Sequence, residues 1–280
     1  MKTDKIFAGK LLVSDIDGTL MSSGNQLSPQ NIQAIRRFIE LGGKFTVASG
    51  RTLAALYAIR TAIPINMPVI TVNGAIIHRL YDHDQPAIWE SPMDDQAAGL
   101  LLAKIIRLFP GVGIEIFTDK AVYPVKMNDY VRQHALKEVI LDQEYLLDDI
   151  PRPWCKICFA WSNHELQNLN QYLQSELNED FHVFFSEETF LDILHHQTSK
   201  GEAVKVLQKM CGIVRADTYA IGDNFNDLDL FREAACTFAV ANACDALKQI
   251  ADYLVASNDD SGVAEAITII EQKLLVPVNP

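Results

Sequence analysis

The chain has 280 residues, 49% of them hydrophobic and five of them cysteine, with 36 acidic against 24 basic side chains and a net charge of -12. That acidic excess argues against a nucleic-acid partner, no run approaches the ~18 apolar residues of a membrane span, and the cysteines give no disulfide framework. The length suits one large domain or a core carrying an inserted one. Residues Met1 to Phe7 lack the apolar region and cleavage site of a signal peptide, so a reducing cytoplasm is the expected location.

The first element is a strand. Leu11, Leu12 and Val13 form an apolar run of the kind found in parallel strands covered on both faces. The run breaks into Asp15-Ile16-Asp17-Gly18-Thr19. Two carboxylates and a glycine at a strand exit suit the carboxyl edge of an α/β sheet, where ligands bind. Asp15 would be held rigidly at the strand end. Gly18 lets the chain turn, so Asp17 could swing over the same substrate. A rigid carboxylate can act as a nucleophile toward phosphoryl groups, and a second carboxyl group can move the proton. The alternative is a pair of acids in a solvated loop, and the choice depends on what else reaches the same edge.

Ser28 and Pro29 then open a helix with Ile32, Ile35, Phe38 and Ile39 at helical spacing, and Gly42-Gly43 ends it. Lys44 to Ala48 reads as a strand that exits into Ser49-Gly50-Arg51. A second helix is expected over Thr52 to Ala62, and a third strand over Val69 to Val72, ending at Asn73-Gly74. Strand and helix alternating at this spacing imply a parallel sheet.

After about His78 the rhythm changes. Strands are expected at Ile88 to Glu90, Gly113 to Thr118, Val122 to Val125, Trp154 to Trp161 and His182 to Phe185. Helices are expected at Asp94 to Leu108, Asn128 to Val139 and His164 to Leu177. This block reads as a separate α+β domain over 81–191, with the core formed by 1–80 and 192–280. The α/β rhythm returns near Leu191. Thr198-Ser199 can cap a helix from Lys200 to Met210. A strand from Thr218 to Ile221 exits into Gly222-Asp223-Asn224-Phe225-Asn226-Asp227, and short strands follow at Thr237 to Val240 and Tyr253 to Val255.

Strand exits of one parallel sheet converge, so Asp15, Asp17, Ser49, Lys200, Asp223, Asn226 and Asp227 can meet. Asp15, Asp223 and Asp227 are hard oxygen donors of the kind that suit Mg²⁺. A carboxylate attacking a phosphate must overcome like-charge repulsion, and Mg²⁺ with Lys200 can supply the positive charge. Ser49 can hold a phosphate oxygen, and Gly50 admits close backbone approach.

This set resembles the haloacid dehalogenase-like phosphatases. The motifs that carry the resemblance are Asp15 to Thr19, Ser49-Gly50-Arg51, Ser199-Lys200-Gly201 and Gly222 to Asp227. Val72-Asn73-Gly74-Ala75, Ala239 to Ala243 and Ser261 to Ala264 resemble the Cof-type branch, which carries a large α/β cap where the middle block falls. The resemblance implies a Rossmann-like parallel-sheet core with an inserted α+β cap. It implies Asp15 as the nucleophile that becomes an aspartyl phosphate and Asp17 as the general acid and base. Ser49, Gly50, Lys200 and Asn226 would bind the phosphoryl group. Asp15, the backbone carbonyl of Asp17, Asp223 and Asp227 would surround Mg²⁺. The expected activity is hydrolysis of a small phosphorylated metabolite, a sugar phosphate first. A phosphomutase of the same fold and a non-catalytic phosphometabolite-binding module are the alternatives.

Other signals read more simply as structure. Cys155-Lys156-Ile157-Cys158 lies in an expected strand, where positions three apart face opposite sides and do not chelate. His195-His196 reads as packing where the insert rejoins the core. Trp154, Phe159 and Trp161 read as insert core. Arg51 either contacts substrate or braces the Ser49 loop, and Asn73 either shapes its turn or touches ligand. Neither the physiological substrate nor the oligomeric state is legible.

Overall fold

Strand β1 (Leu11–Ser14) is buried along its whole length. In this computed structural model, which describes residues 5–81, 85–138, 140, 143–177 and 179–275, β1 sits in a parallel sheet. Helix α1 (Pro29–Glu40) starts as its sequence dictates, with the Ser28 side chain accepting from the Asn31 amide and Pro29 in the first turn. Strand β2 (Lys44–Val47) pairs with β1 in parallel. Helix α2 (Leu53–Ile59) is shorter than expected, and β3 (Val69–Thr71) joins β2 through a parallel bridge between Ala48 and Ile70. Strand β4 (Ile76–His78) turns back antiparallel to β3, and β5 (Trp89–Glu90) pairs with β4.

The inserted domain follows: α3 (Asp95–Leu108), β6 (Gly113–Phe117), β7 (Val122–Lys126), α4 (Asp129–Glu138), β8 (Lys156–Ala160), α5 (Asn163–Glu176), β9 (Phe181–Glu187) and β10 (Phe190–His195). Its sheet is antiparallel in the order β7-β6-β8-β10-β9. Period-two alternation splits the side chains between two faces. Ile114, Ile116, Ile157, Phe159, Leu191 and Ile193 pack with the leucines of α3 and α5. Glu115, Cys158 and Asp192 are opposite one another in register on the other face. That second face meets the core, where Cys158, Phe190 and Leu194 cluster with Val72, Ala75 and Ile76.

The chain returns to the core through α6 (Lys200–Cys211), β11 (Thr218–Gly222), α7 (Leu228–Arg232), β12 (Cys236–Val240), α8 (Asp245–Ile250), β13 (Tyr253–Val255) and α9 (Gly262–Leu275). The parallel sheet runs β13-β12-β11-β1-β2. Strands before the insert lie on one side of β1 and strands after it on the other. The order therefore reverses at β1, and the carboxyl end of β1 is a topological switch point, where open α/β sheets bind ligands.

Two elements differ from the sequence reading. The stretch expected to begin the second core segment at 192 is the middle of β10, which belongs to the insert sheet through His195. Conversely, β5 pairs with β4 of the core although it lies past residue 80. Both short apolar strands look alike to either sheet, and only their pairing assigns them. We therefore propose 92–195 for the insert. The Ser91 and Thr198 hydroxyls, 2.6 Å apart and buried, tie its two connections together. The stretch expected to end at Val139 ends as α4 at Glu138, and Val139 itself lies outside the described residues.

Candidate active site

The turn after β1 is built so that three carboxylates share one small space. Asp15 leaves the strand with its amide donating to the Ile221 carbonyl at 3.0 Å, which fixes it between β1 and β11. Gly18 has φ +79°, and a Cβ on it would fall 2.5 Å from Asp223 Oδ2, so neither the turn nor the packing tolerates a side chain. Thr19 Oγ1 donates to Asp223 Oδ1 at 2.7 Å, and Asn242 Nδ2 donates to the Gly18 carbonyl at 2.7 Å. Both bonds hold the turn to the loops after β11 and β12.

Lys200 is 0% exposed. It is the first residue of α6, whose cap is Ser199, accepting from the Glu202 amide. Its Nζ donates to Asp15 Oδ1 at 2.6 Å and to Asp227 Oδ1 at 2.7 Å. Asp227 Oδ2 accepts from the amides of Asp223 and Asn224 at 3.0 and 3.1 Å. Both oxygens of Asp227 are thus occupied in aiming Lys200 and folding the loop. Burial would pull the Lys200 ammonium down, but Asp15 and Asp227 beside it hold it well above the usual lysine range.

Asp15, Asp223 and Asp227 each offer an oxygen, and these lie within 4.8 Å of one another. Three carboxylates face one ammonium. Burial, followed by the neighbouring carboxylates, pushes Asp15 well up, and burial followed by Asp227 pushes Asp223 up to about 6. This donor set fits a hard divalent cation: it is all oxygen and carries surplus negative charge.

Asp17 is on the open side, its side chain 52% exposed. Arg51 holds both of its oxygens, Nε to Oδ2 at 2.8 Å and Nη2 to Oδ1 at 2.6 Å. Buried Ser49 accepts from the Arg51 amide at 3.1 Å. Asn73 has φ 55° in the turn after β3, and its side chain also bridges the two domains. Its Nδ2 donates to Asp192 Oδ2 at 3.1 Å and its Oδ1 accepts from Asn226 Nδ2 at 3.1 Å. It both shapes its turn and reaches the site. Asp15, Asp17, Ser49, Gly50, Arg51 and Asn226 line one cavity, with Lys200, Asp223 and Asp227 joined to it through Asp15.

Sequence reading missed the other wall, where His134, Lys156 and Phe190 of the insert line the same cavity. The available signal was Lys156, a single charge inside an apolar strand. Cys155 and Cys158 are free and buried, and burial raises both thiols, Cys155 to about 12. The His195 and His196 rings lie beside each other at the end of β10, outside the acidic cluster. Trp154 and Phe159 are in the insert core and Trp161 packs against it.

A parallel sheet with buried carboxylates and a lysine at its switch point, covered by an inserted α+β domain, defines the class of the haloacid dehalogenase fold. The chain belongs to the haloacid dehalogenase-like hydrolases: the model of that family matches residues 12–267. Within them it is a phosphatase of the Cof-type branch. It is 28% identical to the 5-amino-6-(5-phospho-D-ribitylamino)uracil phosphatase YwtE of Bacillus subtilis, over 91% of this chain and 96% of that one. A haloacid dehalogenase-like hydrolase from Bacteroides thetaiotaomicron superimposes with a TM-score of 0.82 at 27% identity, covering 93% of this chain and 99% of that chain. A subclass IIB sugar phosphatase has the same fold, with a TM-score of 0.79 at 21% identity, over 95% of this chain and 100% of that one.

Proposed function

We propose that the protein is a Mg²⁺-dependent phosphatase of small phosphorylated metabolites, sugar phosphates first, acting through an aspartyl phosphate on Asp15. The observation that carries this reading is Lys200, buried between Asp15 and Asp227 beside the three-carboxylate cluster. Binding alone needs no buried nucleophile oriented in this way. The names of the curated relative and of the sugar phosphatase support a phosphorylated small molecule as substrate.

In the first step an Asp15 oxygen bonds to phosphorus while the bond from phosphorus to the leaving oxygen breaks. Asp17 gives its proton to that oxygen. Water then attacks phosphorus, Asp17 takes the water's proton, and the bond to Asp15 breaks to release phosphate. Lys200 offsets the charge that gathers as the anionic phosphate meets Asp15, and the Ser49 hydroxyl and Asn226 amide hold phosphate oxygens. Asp15, Asp223 and the Asp17 backbone carbonyl would hold Mg²⁺, with Asp227 beside them, and the ion would neutralise charge on the phosphate. Five unpaired cysteines suit a reducing cytoplasm.

The test is turnover of an aryl phosphate with Mg²⁺, before and after chelation, together with trapping of the phosphoryl group. The expected results are metal-dependent release of phosphate and a label on Asp15 that Asp15→Asn loses. Full activity after chelation, or a label on another residue, would contradict the proposal.

A further inference from the structure

A second cavity, of about 530 Å³, opens beside α2 and shares no lining residue with the catalytic one among the described residues. That volume falls within the ~300–1,000 Å³ of small-molecule sites. The core supplies Leu53 and Tyr57 of α2 and His78 at the end of β4. The insert supplies the turn from β6 to β7, then Tyr123 and Tyr145. One apolar cluster joins Val72 and Ile76, which line this cavity, to Cys158 and Phe190, which line the other, and so forms a partition between them.

His78 is the polar anchor. It is 3% exposed and lines the cavity, yet its imidazole makes no hydrogen bond among the described residues. A buried polar group without a partner costs free energy that a ligand can return. Burial lowers this imidazole to about 4, so at neutral pH it has one N–H to donate and one lone pair to accept. The turn is otherwise satisfied: Asp119 and Lys120 form an ion pair 3.0 Å apart, and the Thr118 hydroxyl accepts from the amides of Lys120 and Ala121, both at 3.2 Å.

The rest of the lining is aromatic and apolar. Tyr123 and Tyr145 meet edge to face with ring centroids 5.1 Å apart, and the Arg60 guanidinium holds Tyr57 from 3.3 Å above its ring centroid. Rings fixed in this way offer surfaces on which another flat ring stacks. A phosphate or carboxylate would find no unpaired cation among the described lining residues, and an aliphatic ligand would leave His78 unsatisfied.

Val72 ties this cavity to the catalytic one. Its φ is 53°, a left-handed backbone that a β-branched residue adopts only at a cost. Its amide donates to the Arg51 carbonyl at 3.1 Å, and the next amide, of Asn73, donates to the Ser49 carbonyl at 3.0 Å. Thr52, the cap of α2, directly follows Arg51. The cavity is complete only while the insert lies over the core, so a ligand filling it binds that arrangement. The same arrangement covers the space around Asp15.

We propose that this cavity is an effector site for an uncharged heteroaromatic molecule of nucleoside size, stacked on the tyrosines and hydrogen-bonded through its ring edge to His78. Occupancy clamps the β6–β7 turn to α2 and tightens substrate binding next door. The effect on turnover rests on the phosphatase reading above, whereas the binding does not.

The probes are adenosine, inosine, cytidine and uridine, titrated calorimetrically into the full chain with and without Mg²⁺ and inorganic phosphate. At least one is expected to bind, one molecule per chain, and more tightly when phosphate and Mg²⁺ are present. His78→Phe, which keeps a ring without its nitrogens, and Tyr57→Leu each weaken that binding about tenfold. Saturating nucleoside lowers the KM for an aryl phosphate about fivefold. A nucleoside in the catalytic cavity would compete and raise it. Absence of binding by all four nucleosides, or binding unchanged in either folded variant, overturns the site. Binding that depends on His78 while KM stays constant or rises overturns the effector role. A wild type that binds nucleoside through His78 and leaves the aryl phosphate intact strikes only at the phosphatase reading.

Discussion

Arg51 grips Asp17 through two parallel hydrogen bonds, from Nε at 2.8 Å and Nη2 at 2.6 Å. Such a fork fixes a carboxylate in direction as well as in charge. It also occupies both oxygens from which Asp17 would deliver a proton. In the mechanism proposed above, Arg51 would aim Asp17 as the carboxyl group gives up its proton.

Arg51→Lys keeps the charge and loses the fork. Turnover of alkyl phosphates is expected to fall about tenfold, a part of the 100–10,000-fold that a positioned acid–base group supplies. Aryl phosphates should lose less, because their leaving groups need less help from a proton. The check is kcat for matched alkyl and aryl substrates. Equal losses for the two would show that Arg51 does not act through Asp17.

Lys200→Met removes the cation between Asp15 and Asp227. Breaking a buried pair by deleting one partner costs about 3–5 kcal/mol, because the remaining charges stay buried. Denaturant unfolding of the metal-free variant should show a loss of that order, and activity should vanish. Asp227→Asn in the same background should recover part of the stability and none of the activity. That split separates the structural role of the pair from its chemical one.

The core of this site was legible because its geometry is local. A strand exit, a cap and a glycine turn are written in consecutive residues, so Asp15, Ser49, Lys200 and Asp223 were placed by the elements around them. Gly18 was legible as a turn. Its second reason, the 2.5 Å approach of a Cβ to Asp223, arises from a residue some two hundred positions away. The wall opposite was not legible for the same reason. Strand β10 reads Phe-Leu-Asp-Ile-Leu-His, and nothing within it says whether it pairs with β8 or with β1. His134 lies on a helix of mixed polarity, and its role depends on Glu115 in another element.

His78 gives a prediction on stability against acid. Burial lowers its imidazole from the ordinary 6.5 to about 4, with Asp119 opposing the shift. A group whose folded value is depressed contributes stability that is full above its unfolded value and lost as pH falls through the folded one. The loss should therefore develop between about pH 6.5 and 4 and reach roughly 3 kcal/mol. Unfolding free energies across that window, compared with those of His78→Phe, measure it. A variant with the same pH slope as the wild type would assign the acid sensitivity elsewhere.

The acidic cluster makes the opposite prediction. Asp223 is raised from its ordinary 3.8 to about 6 by burial and by Asp227. A carboxyl group whose folded value is raised prefers its proton in the folded state. In the metal-free protein the stability it contributes is therefore full below 3.8 and is lost as pH rises through about 6. At neutral pH the cluster is then a strained set of carboxylates around one ammonium, and a divalent cation should relieve it. Saturating Mg²⁺ is expected to raise the melting temperature by roughly 5 °C at pH 7.5, as binding to the folded state alone requires. The gain should shrink at pH 5, where protons compete for the same oxygens. Asp223→Asn removes one negative charge from the set. The metal-free variant should melt above the metal-free wild type at pH 7.5 and gain little from Mg²⁺. Melting curves at the two pH values, with and without the ion, test all three statements. A Mg²⁺ gain that is the same at both values, or that survives Asp223→Asn in full, would place the cation outside this cluster.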